Sequence, residues 1–165
     1  PRIWQYQDAK SRCPASALFM FPGAPACPLA AIERDPGVEV RVWHADNGQF
    51  LDPAPGTAPA AERLTQYGVA PVLDRPVLMG AAPGPGLLLH DIRDLQWDEG
   101  TGLFRGTFQG ANSQPATAYV LIPRGWAFKA GRAGGGSVKP GAGPVVTFPV
   151  PPGKATQFEL VFARS

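Results

Sequence analysis

The chain has 165 residues, of which 44% are hydrophobic and 17% charged, with a formal net charge of +2. That is enough apolar material for one packed core and too little charge for a disordered chain. The cations are scattered, with no basic stripe or aromatic RNP-like motif for nucleic acid, and no apolar run reaches the roughly 18 residues of a membrane helix. We therefore expect neither a nucleic-acid partner nor a membrane span. Glycine and proline number 20 each. Spread between apolar runs, they act as turn punctuation.

The opening at Pro1 carries no signal-peptide pattern, so the sequence reads as a mature product or an excised domain. Ile3-Trp4-Gln5-Tyr6 suits a short edge strand, and Leu18-Phe19-Met20-Phe21 a second strand. Between and beyond them stand the two cysteines, Cys13 and Cys27, each followed by proline. A bridge would close a loop of about 15 residues and contribute about 3 kcal/mol on the chain-entropy account. The other reading is two buried thiols. The Pro/Gly-rich segment between them favours the bridge, which would place the chain in an oxidising compartment, secreted or periplasmic.

The first clean alternation is Val38-Glu39-Val40-Arg41-Val42-Trp43-His44. The valines share one face; Glu39, Arg41 and Trp43 share the other, which reads as the solvent side. Asp46-Asn47-Gly48 then signals a turn, and Gln49-Phe50-Leu51 the return strand. Residues 53–59 read as a loop, and Ala60 to Leu64 as one helical turn. Val69 to Met79 mixes prolines with apolar residues, which suits an edge strand or a crossing connection. The A-A-P-G-P-G stretch at 81–86 marks an internal boundary between an irregular first half and a regular strand series.

After Leu87-Leu88-Leu89 comes Ile92 to Trp97. Trp97 to Gln109 reads as strand, tight turn and strand, with Gly100 and Gly102 free to take positive φ. Phe104 and Phe108 share a face of the second strand. Thr117 to Ile122 is apolar on both faces and therefore central. Gly131 to Gly143 reads as a flexible loop. Val145 to Val150 and Gln157 to Phe162 read as the last hairpin, with Phe158, Leu160 and Phe162 in the core. The sum is an all-β chain with few or no helices. Its expected fold is a single antiparallel β-sandwich over 1–165, immunoglobulin-like or jelly-roll-like.

Residue chemistry points away from catalysis. The two histidines, His44 and His90, lie in strand-like segments without the Cys and Met order of a copper site or the spacing of a zinc site. No serine sits in a G-x-S-x-G elbow. Asp91, Asp94, Asp98 and Glu99 are close in sequence, as carboxylates at hairpin ends commonly are. An amino-terminal proline base belongs to α/β proteins with an early helix, which is lacking here. No cofactor is expected, although the oxygen-rich turns Asp46-Asn47-Gly48 and Asp98-Glu99-Gly100 have ligands of the kind that hold structural calcium.

Aromatic residues are the best functional lead, because the apolar faces of sugar rings stack on exposed Trp and Tyr. Trp43 is the foremost candidate, then Trp126 in P-R-G-W, then Trp4 and Tyr6 on an edge; Trp97 reads as core. For Trp43, packing against a neighbouring domain is the competing reading.

The runs D-L-Q-W-D-E-G-T-G-L-F-R-G-T-F, A-T-A-Y-V-L-I-P-R-G-W, V-V-T-F-P-V and F-E-L-V-F, within residues 87–165, resemble the C-terminal β-sandwich appended to many bacterial glycoside hydrolases. In that family catalysis lies in a separate barrel domain. The resemblance implies an accessory role and carries over no catalytic residue. The expectation is a secreted, non-catalytic module that binds a polysaccharide or other glycan, or supports a carbohydrate-active catalytic domain. The alternative is a structural or adhesive extracellular protein that meets a partner protein through its sheet edges.

Overall fold

Alternating strands need a second layer to cover each apolar face, and this chain meets that need with stacked antiparallel sheets. The computed structural model describes residues 3–6, 15–28, 38–44, 50–51, 57–82, 92–109, 114–141 and 143–165. Among them there is no helix, and the strands form an all-β, sandwich-like fold.

The first sheet joins β1 (Ile3–Tyr6), β2 (Ser16–Met20), β7 (Thr65–Pro71), β4 (Val40–His44) and β5 (Phe50–Leu51), in that spatial order. The expected edge strand at Ile3 and the Phe50-Leu51 return are both present. A small two-stranded sheet pairs β3 (Cys27–Pro28) with β6 (Thr57–Ala58). Together they enclose a first apolar cluster that includes Leu18, Met20, Val40, Val42, Tyr67 and Val69.

The middle sheet runs β14 (Lys139–Pro140), β15 (Val145–Val150), β11 (Ala116–Leu121) and β8 (Val77–Ala82). Register places Ala118 opposite Phe148 and Val120 between Val146 and Leu78, so these side chains share one face. The third sheet runs β13 (Gly136–Ser137), β12 (Trp126–Ala133), β16 (Thr156–Arg164), β10 (Leu103–Phe108) and β9 (Ile92–Asp98). Phe158, Leu160 and Phe162 of β16 are buried, as are Phe104 and Phe108 of β10. The Phe148 and Phe158 rings stack across the two sheets at 5.1 Å. Each such buried ring contributes about 1.5–3 kcal/mol.

Several expected elements are rearranged. Ala60 to Leu64 makes no helical turn; Ala61 bridges to Ala24 and a bend follows. The Val69–Met79 segment is divided between β7, which is internal with β2 and β4 on either side, and β8. β15 and β16 do not pair: the chain crosses from the middle sheet to the third after Val150. The glycine-rich 131–143 stretch carries three strand segments, ending β12 and passing through β13 to β14 in the other sheet. Buried Val138 anchors it there. Small residues permit that crossing because they leave room for tight backbone turns.

β4 holds the largest departure. Val40 and Val42 do share a face, in the first apolar cluster. Trp43 lies on the other face, as its alternation requires, yet it is 0% exposed. Its ring stands 5.0 Å from that of Tyr119, on the outward face of β11. Trp43 and Ala70 of the first sheet, with Ala15 just before β2, thus join the same apolar cluster as the middle and third sheets. Gly68, the partner of Trp43 in register, makes the room: a Cβ there would lie 1.6 Å from the indole nitrogen. Around this contact Arg124 donates its amide to the Leu73 carbonyl at 2.8 Å and its guanidinium to Glu39 at 3.2 Å.

Candidate functional site

The aromatic candidates do not form a solvent-facing patch. Trp43 is enclosed between sheets, which corrects its expected exposure. Trp126 is 8% exposed and opens β12 rather than projecting from a turn, another correction. Its ring packs edge-on against Trp97 at 5.1 Å, and the Arg164 guanidinium covers it at 4.7 Å. Trp97, expected in the core, is half-buried at the edge of the third sheet. Trp4 and Tyr6 lie on edge strand β1, where the backbone alone is described. Cys27 is buried at the start of β3, while Cys13 lies outside the described residues, as do His90, Asp91 and the Asp46-Asn47-Gly48 turn.

The carboxylates near the β9–β10 turn have separate tasks. Asp98 accepts the amides of Gly100 at 2.9 Å and Thr101 at 3.3 Å. The Thr101 hydroxyl and amide, and then the Gly100 amide, hold its carboxyl below the ordinary aspartate range. Glu99 pairs with Arg164. Only Gly102 of the two turn glycines takes positive φ, at 67°. Its carbonyl accepts the Phe162 amide at 2.8 Å, which ties the turn to β16. His44 packs edge-on against Tyr67 at 5.0 Å. Among the described residues no three His, Cys, Asp or Glu side chains cluster as a metal site would require.

A candidate site lies elsewhere, on the outward face of the third sheet. A groove of about 780 Å³ runs across β9, β10, β16 and β12. The same alternation that buries Phe104, Phe158 and Leu160 turns Arg105, Thr107, Gln157 and Glu159 outward. In register, Gln96 faces Arg105, Arg105 faces Glu159, and Glu159 faces Arg132, so one polar row crosses four strands. The row is tied as two separate pairs. Arg105 donates Nε and Nη2 to the Gln96 Oε1 at 3.0 and 2.7 Å. Arg132 donates Nε and Nη2 to the Glu159 Oε2 at 2.7 and 2.5 Å.

Asp94 completes the lining. Its φ is 54°, the single positive value at a non-glycine position among the described residues. It sits where β9 shifts register against β10 between Arg105 and Thr107. A bulge of this kind re-aims one side chain and bends the strand, and Asp tolerates the left-handed conformation better than most residues. A second groove, of about 730 Å³, follows the β9 edge beside Trp97, Leu95, Phe104 and Arg75.

None of the groove's polar residues was a sequence-derived ligand candidate. The signal was present in β10 and β16: once Phe104, Phe108, Phe158 and Leu160 are assigned inward, Arg105, Thr107, Gln157 and Glu159 must face outward. Which strands stand side by side, and so bring Gln96, Arg105, Glu159 and Arg132 into one row, is a property of the topology. No family model and no curated protein matches the chain.

Proposed function

We propose that this chain is a non-catalytic β-sandwich module that binds carbohydrate, or supports a carbohydrate-active enzyme, through the outward face of its third sheet. The observation that carries this reading is the groove over the row Gln96–Arg105–Glu159–Arg132, tied as the pairs Gln96–Arg105 and Glu159–Arg132. Sugar hydroxyls both donate and accept, and this row, with Thr107, Gln157 and Asp94, offers both kinds of partner on one sheet face. The pairing fixes the long side chains before a ligand arrives and so lowers the ordering cost of binding. The chemistry is recognition by hydrogen bonds rather than turnover, since Glu159 is already engaged by Arg132. The resemblance of residues 87–165 to accessory sandwiches of glycoside hydrolases supports the same role. A Cys13–Cys27 bridge and a secreted or periplasmic setting belong to this reading.

The alternative is an adhesive module that joins a partner protein by strand addition at β9, an edge strand of seven residues. The Asp94 bulge and the charge of Arg93 interrupt that edge, as natural edges that avoid pairing do, so glycan binding is preferred.

A glycan-array screen followed by titration of the hits tests the proposal. Saturable binding is expected, weakened about ten-fold or more by the double variant Arg132→Ala/Gln157→Ala. If no glycan binds and sedimentation instead shows self-association, the adhesive reading replaces it.

A further inference from the structure

The two grooves meet at one pair of residues: Gln96 and Arg105 line both. Arg105 therefore stands on the ridge between a polar groove and one floored by Leu95, Trp97 and Phe104. Its electrostatic situation differs from that of Arg132, its counterpart at the far end of the row. Arg132 spends Nε and Nη2 on a carboxylate, so its charge is answered within the protein. Arg105 spends the same two nitrogens on the neutral amide oxygen of Gln96. That contact fixes the guanidinium plane without neutralising it, and it leaves Nη1 unused.

The surrounding charges do not alter this difference. Asp98 lies on the same strand as Gln96, but its Oδ1 takes the Gly100 and Thr101 amides, and Arg105 is the weakest of the influences on it. Glu159 faces Arg105 in register but is held from the other side by Arg132. Asp94, at the bulge, and the exposed Arg93 stand beside the row with opposite charges.

We propose that this site selects acidic glycans, with a sugar carboxylate docking on the Arg105 guanidinium where the two grooves meet. The inference rests on the glycan-binding reading above and narrows its ligand class. With Nε and one Nη2 hydrogen held by Gln96, the end-on pair of Nη1 and the second Nη2 hydrogen is left to meet a planar carboxylate, and a charge-assisted hydrogen bond is about twice as strong as a neutral one. A neutral sugar hydroxyl can accept from the guanidinium too, but it brings no opposite charge to pair with it. Trp97 and Leu95 in the second groove supply apolar surface for the ring that carries the carboxylate.

The test compares each acidic oligosaccharide with its own neutral form. Oligogalacturonate, its methyl ester, and a neutral cello-oligosaccharide are titrated by calorimetry against the whole chain and against Arg105→Gln and Arg105→Lys. The acid is expected to bind about ten-fold or more tighter than its ester, with an affinity that falls as salt rises. Arg105→Gln should remove the preference, and Arg105→Lys should restore part of it by keeping charge without the fork. Both variants should melt as the parent does, because the side chain is exposed. Binding of the ester or the neutral oligosaccharide as tightly as the acid would overturn the acidic-glycan inference and leave the glycan-binding reading intact. Failure of all three probes, together with a blank array, would overturn both.

Discussion

β4 and β16 carry the same kind of pattern and end in different surroundings. In each, one set of alternating residues is apolar (Val40 and Val42; Phe158, Leu160 and Phe162) and the other set includes charge (Arg41; Glu159). The second face of β16 is open and forms the polar row of the groove. The second face of β4 lies against the middle sheet, and Trp43 is sealed there over Gly68 beside Tyr119. Alternation tells which residues share a face. It does not tell whether that face meets water, because a strand in a stack of sheets can be covered on both sides.

Substitutions sharpen this contrast. The largest effect should come from Trp43→Ala, which empties the contact between the first and middle sheets; a loss of about 3–5 kcal/mol is expected in chemical denaturation. The indole nitrogen has no hydrogen-bond partner among the described residues, so Trp43→Phe should cost clearly less. If Trp43→Ala were neutral, the first sheet would not pack on the middle one as described.

Gly68→Ala attacks the same contact from beneath. Its Cβ would collide with the indole at 1.6 Å, so overpacking should destabilise by about 1–3 kcal/mol. The double variant Gly68→Ala/Trp43→Ala should be less damaging than the sum of the two, because loss of the indole removes the clash and the added methyl fills part of the space it leaves.

On the open face, changes should be small in stability and visible in binding. Asp94→Gly relieves a left-handed φ of 54° and should stabilise by about 1 kcal/mol while weakening any groove ligand. A loss of stability there would mean that the Asp94 side chain holds the bulge together. Glu159→Ala should shift the unfolding free energy by no more than about 0.5 kcal/mol, since surface ion pairs contribute little.

The smallest effect concerns pH. Burial beneath the first sheet pushes the Tyr119 hydroxyl above its ordinary value. A raised folded-state value means that its contribution is complete below the ordinary tyrosine range and is lost as pH rises through the folded-state value. The alkaline limb of the stability curve should flatten in Tyr119→Phe; an unchanged limb would place Tyr119 in solvent.

Much of the fold was legible in the chain. The Ile3, Leu18 and Val38 strands, the Gly102 hairpin, the central Thr117 strand and the inward Phe158-Leu160-Phe162 set all follow from period-two alternation and turn residues. Two features were misread for a common reason. The last two strands look like a hairpin because they are neighbours in sequence, yet hairpins and sheet-crossing connections draw on the same Pro-Gly turn chemistry. The 131–143 segment looks like a loop because glycine signals flexibility, whereas here it supports the sharp turns of a crossing. Gly68 was the one sequence hint to the fate of Trp43: a glycine inside a strand marks the close approach of something large.

The sequence by itself determined which side chains share a face, because the pleat alternates whatever the strand's neighbours are. It determined an all-β chain for the same local reason. Only the tertiary structure decided which faces meet water and which strands lie side by side. Those depend on the order of strands in three stacked sheets, a long-range arrangement encoded in no single segment. That order brings Gln96, Arg105, Glu159 and Arg132 into one exposed row and removes Trp43 from solvent.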